Sequence, residues 1–67
     1  MTLLARHGSH EAEIREYRPH PSIYDGPLWV VAVDGDPVTP GECHVELDDA
    51  KREAERVVGH RLDWSEA

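Results

Sequence analysis

The sequence predicts a small α+β domain, an antiparallel β-sheet in the order β-β-β-α with one C-terminal amphipathic helix packed on one face. Three observations predict this fold class. Apolar residues recur at helical spacing near the C-terminus, an apolar run extends from Leu28 to Val33, and an Asp-Gly turn signal follows that run. A chain of 67 residues has room for one core, so residues 1–67 are predicted to form a single domain.

The helix is predicted from about Leu47 to Val58 because its apolar residues fall within one arc of about 100°. This apolar stripe consists of Leu47, Ala50, Ala54, Val57 and Val58. Acidic residues in the first turn and basic residues near the end suit the helix dipole. Gly59 is placed to end the helix, since glycine reaches the left-handed backbone conformation of a helix C-cap.

The run from Leu28 to Val33 is apolar on both sides of a strand, because strand side chains alternate between faces. One face receives Trp29, Val31 and Val33, and the other receives Leu28, Val30 and Ala32. The alanines of the helix leave room for Trp29, so the first set is predicted to lie under the helix. The second set then needs a cover, which we expect to be an identical subunit or another protein.

Two further strands complete the predicted sheet. Asp34-Gly35 favours a hairpin, with a return strand over 37–39 that Pro40-Gly41 ends. Residues 12–18 fit either a half-exposed strand or a short helix capped by Ser9. We predict the strand, because one hairpin alone makes a poor sheet.

Both ends of the chain are expected to be flexible, over residues 1–9 and 63–67. The alternative is that Leu3-Leu4, or Leu62 and Trp64, fold across the second sheet face and give a closed monomer. Replacement of Val30 by a charged residue distinguishes an interface from such a closed core.

The order of elements resembles that of the HicB-type antitoxin N-terminal domain, in which the last strand of a sheet leads through a loop into one helix. The resembling residues are Pro40-Gly41-Glu42-Cys43 and Leu47-Asp48-Asp49-Ala50. Many small bacterial and bacteriophage proteins share this plan, so the resemblance implies a bacterial or phage-encoded protein.

Composition narrows the function classes. Fourteen acidic residues against seven basic ones give a formal charge of −7, and the basic residues are interleaved with acids. Direct binding of nucleic acid is therefore disfavoured. The single Cys43 fits a reducing compartment, which predicts a cytoplasmic protein. The apolar stretch Leu3 to Ala5 is too short for a signal sequence or membrane span.

The sequence gives only weak signals for a catalytic or metal-binding site. His7, His10, Cys43 and His44 invite a zinc hypothesis, but a paired CxxC motif is missing, and we expect no metal and no cofactor. Cys43 and His44 are adjacent and project to opposite faces of an extended segment, so a nucleophile and base pair is not expected. A buried, inert thiol is the prediction for Cys43. We predict no catalytic residues and no enzyme activity.

The proline-containing loop from Pro19 to Pro27 is the strongest local candidate for function. Prolines limit its freedom, so presentation of Ile23 and Tyr24 to a partner costs little ordering entropy. The alternative is that both residues pack over the sheet edge. The predicted partner-binding residues are therefore Leu28, Val30, Ala32, Ile23 and Tyr24.

The sequence thus favours a small acidic, non-catalytic interaction or regulatory protein that binds another protein or forms a homodimer. Two alternatives stay open. One is a nucleic-acid mimic that inhibits a DNA- or RNA-binding protein through its acidic surface. The other is a small metal-binding protein that uses histidines and Cys43.

Overall fold

The computed structural model describes residues 1–38 and 43–67, and within them the chain forms a five-stranded antiparallel sheet and one helix. The elements are β1 (Thr2–His7), β2 (His10–Tyr17), β3 (Leu28–Val33), β4 (Asp36–Pro37), α1 (Leu47–Val58) and β5 (Ser65–Glu66). In space the strands follow the order β4-β3-β2-β1-β5. The α+β class and the helix packed on one sheet face are confirmed.

Strand β1 is an element that the sequence analysis missed. It forms a hairpin with β2, in register from Thr2 opposite Arg15 to His7 opposite His10. Gly8 makes the turn with a φ of 60°, which glycine adopts without steric cost. The predicted strand over 12–18 is confirmed as part of β2, which ends at Tyr17. With β1 beside it, β2 becomes the central strand.

The Asp34-Gly35 turn joins β3 to β4 as predicted. Both residues have positive φ, 54° and 85°, as the tight two-residue turns of hairpins require. The return strand β4 is Asp36–Pro37, so it begins one residue earlier than predicted and does not include Val38. Residues 39–42 lie outside the described residues, and with them the predicted break at Pro40-Gly41 and most of the first resembling segment.

Helix α1 has the predicted bounds, Leu47–Val58. Ala50 and Ala54 are fully buried, whereas Val57 is 44% exposed and lies outside the buried stripe. Gly59 ends the helix with a φ of 83°, and its N–H donates to the Glu55 carbonyl oxygen at 2.8 Å.

The core lies between α1 and one sheet face, the inner face. Trp29 and Val31 of β3 are buried under the helix, and Val33 packs partly buried against them, as the alternation predicted. The complete buried cluster is Leu3, Ala5, Ala12, Ile14, Trp29, Val31, Ala50, Ala54 and Leu62. Small side chains on both the helix and the central strand allow these two elements to approach closely.

The C-terminal segment after Gly59 closes one side of this core. Leu62 is buried and Trp64 packs against the cluster, while β5 pairs with β1. The Leu62 N–H donates to the Glu55 carboxylate at 3.0 Å, which holds the segment against the helix. Because Leu62 and Trp64 lie on the inner face, the alternative in which they cover the second face is wrong. The flexibility expected for residues 1–9 and 63–67 stays a prediction.

Candidate functional site

The sheet face opposite α1, called the outer face below, carries the candidate site. Leu4, Glu13, Ala32 and Pro37 are aligned as neighbours across four strands and define one row of this face. Because side chains alternate between the two faces along each strand, the register then assigns the remaining residues of the outer face. They are Thr2, Arg6, Glu11, Arg15, Tyr17, Leu28, Val30 and Ser65.

An apolar strip runs along β3 on the outer face. Leu28, Val30 and Ala32 are partly exposed, and none belongs to the buried cluster. Tyr17, which lies beside Leu28, is 52% exposed. The three residues predicted to occupy the second face are therefore there, and no helix or strand among the described residues covers them. The register fixes this outcome, because a shift by one residue would have exchanged the two faces.

A depression of about 370 Å³ lies over this strip. Its lining residues are Glu13, Arg15, Glu16, Tyr17, Val30, Ala32, Gly35 and Pro37. The structure brings Val30 and Ala32 into the depression and places Leu28 at its end beside Tyr17. Tyr17 and Pro37 were not identified from the sequence, because their membership depends on the pairing of β2 and β4 with β3.

The charged side chains of the outer face are paired with one another. Arg15 Nη2 lies 2.9 Å from Glu13 Oε1, and Arg6 Nη2 lies 2.7 Å from Glu11 Oε2. Two arginines and two glutamates give this face a formal charge of zero. The formal charge of −7 therefore lies on the rest of the chain, and the outer face is the neutral face of an acidic protein.

The edges of the sheet are largely occupied by short segments of the same chain. On the β3 side, Trp29 and His44 exchange two main-chain hydrogen bonds of 2.8 Å, and the Val38 N–H donates to the Val31 carbonyl at 3.0 Å. On the β1 side, β5 pairs with Leu3 and Leu4, and Ala67 donates to Thr2 at 2.9 Å. A partner that adds a strand to a sheet needs free main-chain groups, so binding at these edges is disfavoured.

The loop between β2 and β3 starts and ends at the Tyr17 and Leu28 end of the outer face. A turn held by the Ile23 N–H donating to the His20 carbonyl at 2.8 Å leaves Ile23 78% exposed. The alternative in which Ile23 packs over the sheet edge is therefore wrong, whereas Tyr24 is partly buried. Neither residue lines the depression, so the structure separates this part of the predicted site from the apolar strip.

Several histidines contact one another or a carboxylate. The rings of His7 and His60 stack with centroids 3.7 Å apart, and His10 Nδ1 lies 2.7 Å from Asp34 Oδ2. Across residues 1–38 and 43–67, no three His, Cys, Asp or Glu residues gather as a metal site would require. Cys43 is exposed, so its predicted burial is wrong. The expectation that the protein uses no metal stays a prediction.

Two carboxylates at the sheet margin are electrostatically stabilised. The hydrogen bond from His10 lowers the pKa of Asp34, and the Glu11 N–H, 2.9 Å from Asp34 Oδ1, lowers it further. Bonds from the terminal amine of Met1 and from the Arg18 guanidinium lower the pKa of Glu16. These carboxylates act as structural anions, because each is held by cations or N–H donors.

A second, wider depression of about 800 Å³ lies between α1 and the C-terminal segment. Its lining is mostly charged and of both signs: Asp48, Lys51, Arg52, Glu55, His60, Arg61, Leu62, Asp63 and Trp64. The indole Nε1 of Trp64 is buried without a hydrogen-bond partner among the described residues. No local pattern in the sequence indicates this groove, since it exists only where the tail folds back on the helix.

Comparison with known proteins yields no match: no family model, no curated protein and no solved structure matches this chain. The likeness to HicB-type antitoxins thus stays a prediction. Helix α1, the single helix of the described part of the chain, is too short and too polar to cross a membrane.

Proposed function

We propose that this chain is a non-catalytic protein-interaction domain that binds its partner through the outer face of the sheet. One observation carries the proposal: Leu28, Val30 and Ala32 form a partly exposed apolar strip on a face that no described helix or strand covers. Contiguous apolar surface of this kind is typical of contact sites between proteins. Burial of the strip by a partner would supply the second core layer that one helix cannot provide.

The surroundings of the strip support a protein partner over a small substrate. The depression lies on one face of the sheet with no described helix or strand over it, whereas sites for small molecules bury most of their ligand. Its charged groups are all paired, Glu13 with Arg15 at 2.9 Å and Glu16 with the terminal amine and Arg18, and they leave no single acid or base directed at a substrate. An apolar strip with a polar rim is the usual anatomy of a protein interface.

Mimicry of nucleic acid has less support. The acidic residues of α1 alternate with arginines, and Asp49–Arg52 and Glu53–Arg56 form ion pairs along the helix. A mimic needs a continuous row of uncompensated anions, which this helix lacks. A cytoplasmic regulator or inhibitor, bacterial or phage-encoded, is the setting that we propose for the interaction.

Capture from source cells tests the proposal. A tagged wild-type chain is cross-linked in the cell and purified beside Val30→Glu, which places a charge in the strip. Val57→Glu, on an exposed position of α1, is the matched control. We expect the wild type and Val57→Glu to retain a cross-linked protein, either another protein or an untagged copy of the chain, that Val30→Glu loses. Identical capture by all three folded chains would contradict an outer-face binding site.

A further inference from the structure

We propose that the partner is a second copy of this chain, which packs face to face on the outer face about a two-fold axis running across the strands. This inference rests on the proposed function, because it names the occupant of the same surface. It follows from the arrangement of side chains in two neighbouring rows of the outer face. The first row contains Leu4, Glu13 and Ala32, and the second contains Thr2, Arg15 and Val30.

A two-fold axis between these rows, perpendicular to the strands and in the plane of the interface, places each strand over the same strand of the other copy with its direction reversed. The two rows then exchange positions. Glu13 faces Arg15 of the partner subunit, and Arg15 faces Glu13 of the partner subunit. An interface of this symmetry repeats each contact twice, so a single complementary pair in one chain yields two intersubunit ion pairs.

Within these two rows, the β1 and β3 columns match in the same operation. Val30 lies over Ala32 of the partner subunit, which sets a larger apolar side chain on a smaller one. Leu4 lies over Thr2 of the partner subunit, whose methyl group extends the apolar contact. Packed sheets interdigitate their side chains at a separation of about 10 Å, and pairs of large and small residues fit this spacing.

Charge also selects this face for self-association. The formal charge of −7 makes most surfaces of two copies repel each other. The outer face has no net formal charge, because Arg6 and Arg15 balance Glu11 and Glu13. It is therefore a surface by which two copies can meet without juxtaposing the acidic residues of the helix and the loops.

The size of the face sets the expected strength. Strands about 4.8 Å apart with a rise of about 3.4 Å per residue give the three long strands an area of about 15 by 25 Å. Two such faces together cover about 750 Å² in projection, which is below the about 1,200 Å² of a stable specific interface and in the range of weak, transient contacts. We therefore expect a weak dimer that dissociates in the high micromolar range rather than an obligate one.

A charge-exchange experiment tests the inference. The mass of the wild type, Glu13→Arg, Arg15→Glu and an equimolar mixture of the two variants is measured by sedimentation velocity, from micromolar concentrations to about 1 mM. The wild type is expected to dimerise. Each variant alone opposes like charges across the axis and is expected to be monomeric. The mixture is expected to regain the dimer mass, because both arginines of the first variant then face glutamates of the second.

Circular dichroism of each variant checks folding, which we expect to be retained because Arg15 is 68% exposed and Glu13 is 32% exposed. The matched control is the exposed pair on α1, with Asp49→Arg and Arg52→Asp expected to leave the dimer mass unchanged. A monomeric wild type would overturn the second copy as occupant, while the capture experiment still decides whether the outer face binds another protein. If the wild type dimerises but the mixture of the two variants does not regain the dimer mass, the proposed axis is wrong.

Discussion

The two faces of the sheet are formed mainly by the same three long strands, β1 to β3. They differ in whether their side chains are buried under the helix. Val31 is 4% exposed under the helix, whereas Val30, the preceding residue of the same strand, is partly exposed on the outer face. Ala12 and Ile14 of β2 are fully buried, and Glu13 between them belongs to an exposed ion pair. The inner face holds the fold together, whereas no described helix or strand covers the outer face.

The contrast shows that the apolar content of a strand does not reveal which of its faces is buried. Strand β3 is apolar on both faces, yet one helix covers only one of them. The core is built around Ala50 and Ala54, whose small side chains let α1 lie close to the sheet. An inner face packed this closely has little tolerance for added volume or charge, and the outer face has much more.

The largest effect should come from Ala54→Asp, which places a carboxylate in the closed contact between α1 and the sheet. Ala54 is fully buried, and an unpaired buried charge costs several kcal/mol, comparable to the whole stability of a domain this small. We expect the variant to lose its cooperative thermal transition, as measured by circular dichroism.

Arg52→Asp is the control on the exposed side of the same helix. Arg52 is 74% exposed, and its ion pair with Asp49 is of the surface kind, worth about 0–1 kcal/mol. Its melting temperature should stay close to that of the wild type. Equal melting temperatures for Arg52→Asp and Ala54→Asp would show that the wrong face of α1 has been assigned to the core.

A smaller, pH-dependent effect is expected at Asp34, in the turn between β3 and β4. The pKa of Asp34 is lowered in the folded chain, so its contribution to stability is present above the unfolded pKa and is lost as the pH falls through the folded pKa. Asp34→Asn should melt slightly below the wild type at neutral pH, and the difference should shrink below about pH 4.

Asparagine is the suitable replacement because it tolerates the positive φ of this position. Thermal melts of both chains across the acidic pH range provide the comparison. A difference in melting temperature that stayed constant down to about pH 2 would rule out the Asp34 charge as its cause.

The smallest effect should come from removal of divalent metal. Treatment with EDTA at neutral pH is expected to leave the circular dichroism spectrum and the melting temperature unchanged, because the inner face alone holds the fold. Loss of structure on chelation, restored by zinc, would make His7, His10, Cys43 and His44 the first ligands to test, and the inner face would then be an insufficient account of stability.

The sequence predicted those elements whose signals are local. The bounds of α1 followed from apolar spacing and Gly59, and the turn at Asp34-Gly35 followed from the need for positive φ. Strand β1 was missed, although Gly8-Ser9 between His7 and His10 is itself a hairpin signal. The apolar pair Leu3-Leu4 hid the alternation of that strand, because one of the two residues is buried and the other lies on the outer face.

The candidate site was predictable in part for the same reason. Alternation along β3 placed Leu28, Val30 and Ala32 correctly. The sequence alone, by contrast, does not show that Glu13 and Arg15 lie beside this strip and cancel in charge. That follows only from the central position of β2 and its register with β3. The exposure of Cys43 and the inward fold of Leu62 depend on long-range packing, which has no signature in their own segments.

The most direct test places the same charge on both faces of one strand. Thermal unfolding of Val30→Glu and Val31→Glu, followed by circular dichroism under identical conditions, compares neighbouring residues of β3 that differ in the face they occupy. We expect Val31→Glu to be unfolded at about 25 °C and Val30→Glu to retain a cooperative transition, with a melting temperature that no longer rises with protein concentration. A Val30→Glu chain that is unfolded like Val31→Glu would contradict the account, because the outer face would then be part of a closed core.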